Sequence, residues 1–492
     1  MVNYFEKGLR GTVVVSIFTI LAFLFGYLTR LFLARTITTE EFGLFYSVFT
    51  LFMFVCVFTD LGYSTALVRF IPEFLVKKKK EFVLKTVFYV FIITFILSII
   101  AGVLLLSARG LLASYYFKTP AAMPLLFVFV FILALNAVAA LFSSVFQAYQ
   151  NMFRYGLFYF LIKFIFLLSC IILFYSGLKG SLMPGLAYMV SLVILILLFV
   201  YPFYKNIKPV KLSKGFDKAF FLKISKFALP NLLTALAGTI IGYIDTMILT
   251  YMVSLDKVGV YNAVLPTVLI LSYLGGVLAT VFFPMVSELW VRKEHDRLRS
   301  GLALISRYAL IIVLPLSFSM LFFSKTILRV FFGENFVSGA SALSILSVGV
   351  VFLSLAQVNF SVLNGVGKPK EITKITVVAA LFNIVFNIIL IPVMGIAGSA
   401  LTTTLSYLIM FVWSYVLIRK CFSFKFEKLI AIAVSSAAFL VSLYALKNIL
   451  SMNVYVESVV CLVVSGLVYV AAIFLFRLVS VSDLQSLLKR KL

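Results

Sequence analysis

Four ionisable residues stand inside otherwise apolar stretches of the chain: Arg30, Asp60, Lys163 and Asp245. A charge near the centre of a bilayer costs at least about 2.5–3.5 kcal/mol on insertion scales, so each position needs a reason. Arg30 and Lys163 suit an anion, because a guanidinium forms a two-pronged fork to phosphate or carboxylate and an ammonium acts as a point charge. The plainer account of both is snorkelling toward the nearest headgroups. For Asp60 the plain account is a helix-end cap or a structural ion pair. Asp245 has too short a side chain to snorkel far, so a polar interior is the expectation there.

Amides and hydroxyls add a second layer. Thr12, Ser16, Thr19, Gly26 and Arg30 recur at helical spacing, as do Asn231, Thr234, Gly238, Gly242 and Asp245. Ser344, Ser347, Ser354, Gln357, Ser361 and Asn364 share one stripe, Asn136, Ser143 and Gln147 another, and Asn383 and Asn387 lie four apart. Lipid offers these groups no hydrogen bond, so the stripes should face protein or water. Close helix packing, which also favours small and hydroxyl residues, is the competing account.

Covalent and metal chemistry find no support. Cys56, Cys170, Cys421 and Cys461 are scattered singly, and the lone histidine, His295, stands in a basic loop with no ligand spacing around it. No phosphate loop and no nucleophile with a partnered base occurs. An enzyme is therefore not expected, nor a bound cofactor. Any energy input would have to come from a proton or sodium gradient, or from the gradient of the substrate.

The elements that must position these groups are apolar helices. The 492-residue chain is 63% hydrophobic and only 12% charged, with a mean hydropathy of +1.17, whereas soluble chains are about a quarter charged. Apolar segments lie near 11–34, 43–67, 84–107, 123–146, 157–177, 182–204 and 227–252. Seven more lie near 259–284, 304–324, 339–363, 373–393, 397–418, 429–446 and 456–476. Fourteen spans place both termini on one side. Of the 42 Lys and Arg residues, 32 fall in the odd-to-even connections and tails and only 8 on the opposite face. That bias predicts cytoplasmic termini. It also accounts for the net charge of +25 through topology and anionic lipid, without nucleic acid.

A repeat organises the spans. Gly26-Tyr27 and Gly43 return as Gly242-Tyr243 and Gly259, at one offset of 216 residues (259 − 43). Six spans separate the copies, so they run parallel, related by an axis along the membrane normal. The predicted fold is all-α: a polytopic membrane protein with an N-terminal six-helix lobe at 1–204, a basic cytoplasmic linker at 205–226 and a C-terminal lobe at 227–420. Two additional helices and a tail follow at 421–492. Duplicated bundles around a shared polar cleft imply transport. One expectation is that Arg30 and Asp245, nearly equivalent positions of the repeat, approach each other.

The run Glu41-Phe42-Gly43-Leu44-Phe45, then Asp60-Leu61-Gly62-Tyr63 through Pro72-Glu73, resembles prokaryotic polysaccharide-biosynthesis flippases of the multidrug/oligosaccharidyl-lipid/polysaccharide exporter superfamily. Further matches are Tyr243-Ile244-Asp245, Phe331-Phe332-Gly333-Glu334-Asn335-Phe336 and Asn364-Gly365-Val366-Gly367-Lys368-Pro369-Lys370. Asn383, Asn387 and Gly395-Ile396-Ala397-Gly398-Ser399-Ala400 follow in family order, so the resemblance covers about residues 1–420. It implies movement of a lipid-linked oligosaccharide, on a polyprenyl or dolichyl carrier, across a prokaryotic plasma membrane by alternating access. Membrane lipids and glycan-assembly machinery are the further partners expected. A cationic cavity for the carrier diphosphate would fall to Arg30 and Lys163, with Asp245, Asp60, Asn231, Asn383, Asn387 and Gln357 as the other cavity candidates. The alternatives are an ion-coupled multidrug or cation exporter of the same superfamily, with Asp60 or Asp245 as its coupling carboxylate, and a peptidoglycan lipid-precursor flippase.

Overall fold

A computed structural model describes residues 4–207, 217–422, 428–450 and 453–479. Lys208, Lys211 and Lys214 of the expected linker, Lys425 and the tail Lys489 to Lys491 lie outside the described residues. Within them every regular element is a helix. The first half comprises α1 (Tyr4–Thr36), α2 (Thr39–Asp60), α3 (Tyr63–Val76), α4 (Lys80–Leu111), α5 (Ala122–Ala148), α6 (Met152–Tyr175), α7 (Leu182–Ile207) and α8 (Lys218–Met252). Then come α9 (Leu255–Val291), α10 (His295–Phe322), α11 (Ser324–Phe331), α12 (Ala340–Gly365), α13 (Pro369–Met394), α14 (Ile396–Phe422), α15 (Leu429–Ile449) and α16 (Val454–Leu475). Among the described residues, fourteen helical spans are long and apolar enough to cross a bilayer, as the hydropathy pattern predicts. Large side chains such as Leu104, Leu197, Leu467 and Phe474 point outward and bare. That much exposed apolar surface is stable only against lipid.

Capping chemistry sets the helix starts. Thr38 Oγ1 accepts from the Glu41 amide at 3.2 Å while the Thr38 amide donates to Glu41 Oε2 at 2.9 Å, a reciprocal cap that starts α2. Asn151 and Asp217 cap α6 and α8 with one bond each, their Oδ1 atoms accepting from the Arg154 and Phe220 amides, and Pro369 opens α13.

The second apolar segment departs from expectation. Hydropathy runs through 43–67, yet the helix breaks at Leu61 (φ 46°) and Gly62 (φ 79°) and restarts as α3. A Cβ on Gly62 would lie 2.4 Å from the Ala228 carbonyl oxygen of α8, so only glycine fits both the left-handed backbone and the close approach. The freed amides of Gly62 and Ser64 donate to Asp60, each at 3.1 Å.

The described chain divides into two compact units, Met1–Asn262 and Ala263–Leu492. In the first, α1 packs on α6, α4 on α5, and α7 on both α5 and α6. There α8 lies against α2 and α3, where Tyr63, Phe70, Phe74, Val83 and Phe220 form a core. In the second, α12 and α13 both pack on α14, α10 packs on α12, and α15 and α16 pair, with α15 also touching α10.

Candidate functional site

Small residues bring helices close enough for polar groups to meet. Near the α1–α2 and α8–α9 turns, Gly43 of α2 faces Gly259 of α9. A Cβ on Gly43 would sit 1.9 Å from the Leu255 carbonyl oxygen, and one on Gly259 would sit 2.2 Å from that of Thr39. Backbone-to-backbone contact of this kind is open only to glycine. Beside it, Ser47 and Thr250, both buried, share a hydrogen bond of 2.8 Å.

Arg30 stands at this junction. Its Nη1 donates to the Asn262 carbonyl at 2.9 Å, and its guanidinium carbon lies 4.0 Å over the ring of Tyr46, in cation–π contact. Lys163 of α6 approaches from the side: its Cδ lies 3.8 Å from where a Cβ on Gly26 would stand, one turn along α1 from Arg30. With its stem against Gly26, Lys163 meets α1 one helical turn from Arg30. Among the described residues neither has an ion-pair partner. Rings of Phe160 and Phe164 wedge edge-on against Phe25 and hold α6 to α1 at this level.

Asp245 is buried in α8, where it accepts from the Tyr261 hydroxyl at 2.7 Å. Tyr261 directly precedes Asn262, so Arg30 and Asp245 grip successive residues of α9. Next to Asp245, Thr246 Oγ1 donates to Asn262 Oδ1 at 3.3 Å. Arg30 and Thr246 are repeat equivalents, as are Tyr46 and Asn262, so the same two positions touch in both copies with different chemistry.

Other predicted residues lie elsewhere. Asp60 and Asn231 flank the α2–α3 break. Asp60 lies 14 residues beyond Tyr46, roughly 21 Å along α2. Asn231 donates to the Phe227 carbonyl of its own helix at 2.8 Å, beside Pro230. In the second unit, Asn387 Nδ2 donates to Asn383 Oδ1 at 2.9 Å and Asn383 Nδ2 to Thr403 Oγ1 at 3.2 Å, a buried polar ladder between α13 and α14. Gln357 of α12 turns Oε1 toward Gly276 of α9, 3.4 Å from where a Cβ would stand, and that oxygen has no hydrogen-bond partner among the described residues. Sequence reasoning missed Tyr46, Tyr261 and Asn262. The 216-residue offset, which pairs Tyr46 with Asn262, was the signal that could have found two of them.

The arrangement sets Arg30 among Tyr46, Asn262 and the Asp245–Tyr261 pair, with Lys163 beside α1, inside a helical bundle. Its fold matches that of a solved lipid II flippase MurJ in an inward closed conformation, with a TM-score of 0.79 at 16% identity over 94% of this chain and 99% of that one. Fourteen spans in two pseudo-symmetric six-helix lobes plus two C-terminal helices make up the fold, and the family models and curated relatives give the class: a membrane transporter of the multidrug/oligosaccharidyl-lipid/polysaccharide exporter superfamily, and not an enzyme. Within it, the family model described as "Polysaccharide biosynthesis protein" matches residues 9–290, and the chain belongs to that family. A MatE model also matches residues 230–389. The chain is 29% identical, over 99% of both chains, to an uncharacterized membrane protein of Methanocaldococcus jannaschii. It is 23% identical, over 53% of this chain and 55% of the relative, to a probable low-salt glycan biosynthesis flippase of Haloferax volcanii.

Proposed function

We propose that the protein flips a lipid-linked oligosaccharide from the inner to the outer leaflet of a prokaryotic plasma membrane by alternating access. Its lobes are assigned to 1–204 and 227–420, and both termini to the cytoplasm, which sets the Gly43–Gly259 junction toward the outside. The observation that carries the reading is the Arg30–Lys163 pair: two neighbouring cations of the membrane interior whose own contacts are a carbonyl, a ring and apolar neighbours. A carrier phosphate or diphosphate supplies the missing anion, and the guanidinium can offer it two parallel N–H donors. Sugar hydroxyls are costly to bury unpaired, at several kcal/mol each in hydrocarbon, and amides and aromatic faces offset that cost. The relatives named for glycan and lipid II flipping support this choice of cargo.

The test is a leaflet assay. Purified protein in vesicles carrying a fluorescent lipid-linked oligosaccharide should expose the inner-leaflet pool to a membrane-impermeant quencher, and Arg30→Ala with Lys163→Ala should abolish the exposure. Quenching no greater than in protein-free vesicles across several lipid-linked glycans would remove the proposal.

A further inference from the structure

The turn between α3 and α4 meets the first turns of α8 at one corner of the first unit. Phe74 of α3 and Phe82 of α4 both lie against Phe220 of α8, with ring centroids 5.6 and 5.0 Å away. Basic side chains crowd the outside of that corner. Lys77, Lys78, Lys79 and Lys80 run consecutively through the turn, and all are exposed. From α8, Lys223 reaches over the rings of Phe70 and Phe74, 5.6 and 5.9 Å from their centroids, and so stands beside the end of α3. The Lys77 ammonium, bonded to Glu73 at 2.6 Å, holds the Glu73 carboxyl below its ordinary value, with help from the charges of Lys223 and Arg69. Cations from α3, the turn and α8 thus form one patch.

The acids of the corner leave most of that charge unanswered. Glu73 pairs with Lys77, Glu81 pairs with Lys85 at 2.9 Å, and Asp217 accepts from the Phe220 amide at 3.0 Å as the cap of α8. Among the described residues, Lys78, Lys80, Lys218 and Lys226 have no ion-pair partner. Apolar side chains stand among them. Lys218, Leu222, Lys226 and Leu229 recur at helical spacing along one stripe of α8, and all four are exposed. Val76, next to Lys77, is 84% exposed. Water would solvate the ammoniums and leave the leucines bare, and hydrocarbon would do the reverse. A headgroup layer suits both, because lysine stems lie along acyl chains while their ammoniums reach phosphate. A soluble polyanion would answer the charge alone.

We propose that this corner is a binding surface for anionic phospholipid, whose headgroup phosphates bridge the α3–α4 turn to the first turns of α8. It is independent of the identity of the cargo. The α3 helix runs against α8 from Gly62, which rests on the Ala228 carbonyl, to Phe74, which lies on Phe220. Glycine contact closes one end of that helix pair, and bound headgroups fasten the other.

Thermal unfolding of the full-length protein in detergent, titrated with phosphatidylglycerol or with phosphatidylcholine, tests the surface. Phosphatidylglycerol should raise Tm by about 2–4 °C at saturation, and phosphatidylcholine should not. Lys78→Gln, Lys80→Gln, Lys218→Gln and Lys226→Gln, combined, remove four exposed ammoniums that pair with no acid of the fold, so folding should survive. The half-saturating phosphatidylglycerol concentration should rise at least about tenfold in that variant. Removing four charges from the second unit, as Lys293→Gln, Arg299→Gln, Lys370→Gln and Lys420→Gln, should leave it unchanged. An equal response to the two lipids overturns the proposal. So does an unchanged half-saturation in the first variant, or an equal loss in the second. A matching rise in Tm with inorganic pyrophosphate or polyglutamate in place of lipid would assign the corner to a soluble anion or an acidic protein, and overturn it too.

Discussion

Gly43 and Gly259, equivalent positions of the 216-residue repeat, lie against each other with no room for a methyl group on either. Self-contact between equivalent positions is what a two-fold relation between the α1–α2 pair and the α8–α9 pair produces. The neighbouring polar contacts inherit their spacing from it. If the glycines were forced apart, Ser47 would leave Thr250 and Arg30 would leave Asn262.

The first prediction follows directly. Gly43→Val or Gly259→Val drives a branched side chain into a carbonyl oxygen that belongs to rigid helix, so neither partner can yield cheaply. A loss of at least about 2 kcal/mol is expected, near the upper range of overpacking. Thermal unfolding followed by size-exclusion fluorescence would read it, and wild-type stability in both variants would refute the contact.

Arg30 makes a planar contact with Tyr46 and a directed bond to a carbonyl, so charge alone should not replace it. Arg30→Lys keeps the cation but loses the stacked plane and the fork. Flipping should fall about tenfold in Arg30→Lys and further in Arg30→Ala, since a hydrogen bond to a charged group contributes about 1.5–3 kcal/mol. Tm should change little in either. Full activity in Arg30→Lys would mean that only the charge matters.

The bulk of the fold was legible because hydropathy reports burial in lipid directly, and the constant offset between repeats located the Gly43–Gly259 pair before any coordinates. What stayed hidden has definite causes. The break at Leu61-Gly62 interrupts no apolar run, since hydropathy carries no record of φ. Arg30's acceptor is a main-chain carbonyl, and any residue type could have supplied it. Asn231 shares a helical stripe with Asp245, but the two lie 14 residues apart, about 21 Å along α8, so a common face put them in different places. Spacing along a helix names a face; depth decides what that face meets.

Asp245 and Tyr261 give a third prediction. The carboxylate is buried, and the phenol donates to it at 2.7 Å. Tyr261→Phe removes a donor from a buried acceptor, which costs about 1–3 kcal/mol, and Asp245→Asn weakens the same bond from the other side. A double-mutant cycle on unfolding free energy should return a coupling of about 0.5–3 kcal/mol. Strict additivity would show that the two groups do not act as a pair.

The last prediction runs against intuition. Ser354 of α12 and Ser399 of α14 are buried, and neither hydroxyl has a hydrogen-bond partner among the described residues. Ser354 packs against Gly275, whose added Cβ would meet Ser354 Cβ at 2.8 Å, so the hydroxyl is held where its helices pass closest. An orphaned buried hydroxyl costs stability, and replacing it with a methyl-sized group removes the cost. Ser354→Ala and Ser399→Ala should therefore leave Tm unchanged or raise it by about 1–3 °C. If the hydroxyls instead meet cargo or water during the cycle, the same variants should slow flipping while stability holds or improves. Measuring Tm and flipping rate on one preparation separates a packing defect from a groove-lining group. A marked fall in Tm would show that the hydroxyls are satisfied after all.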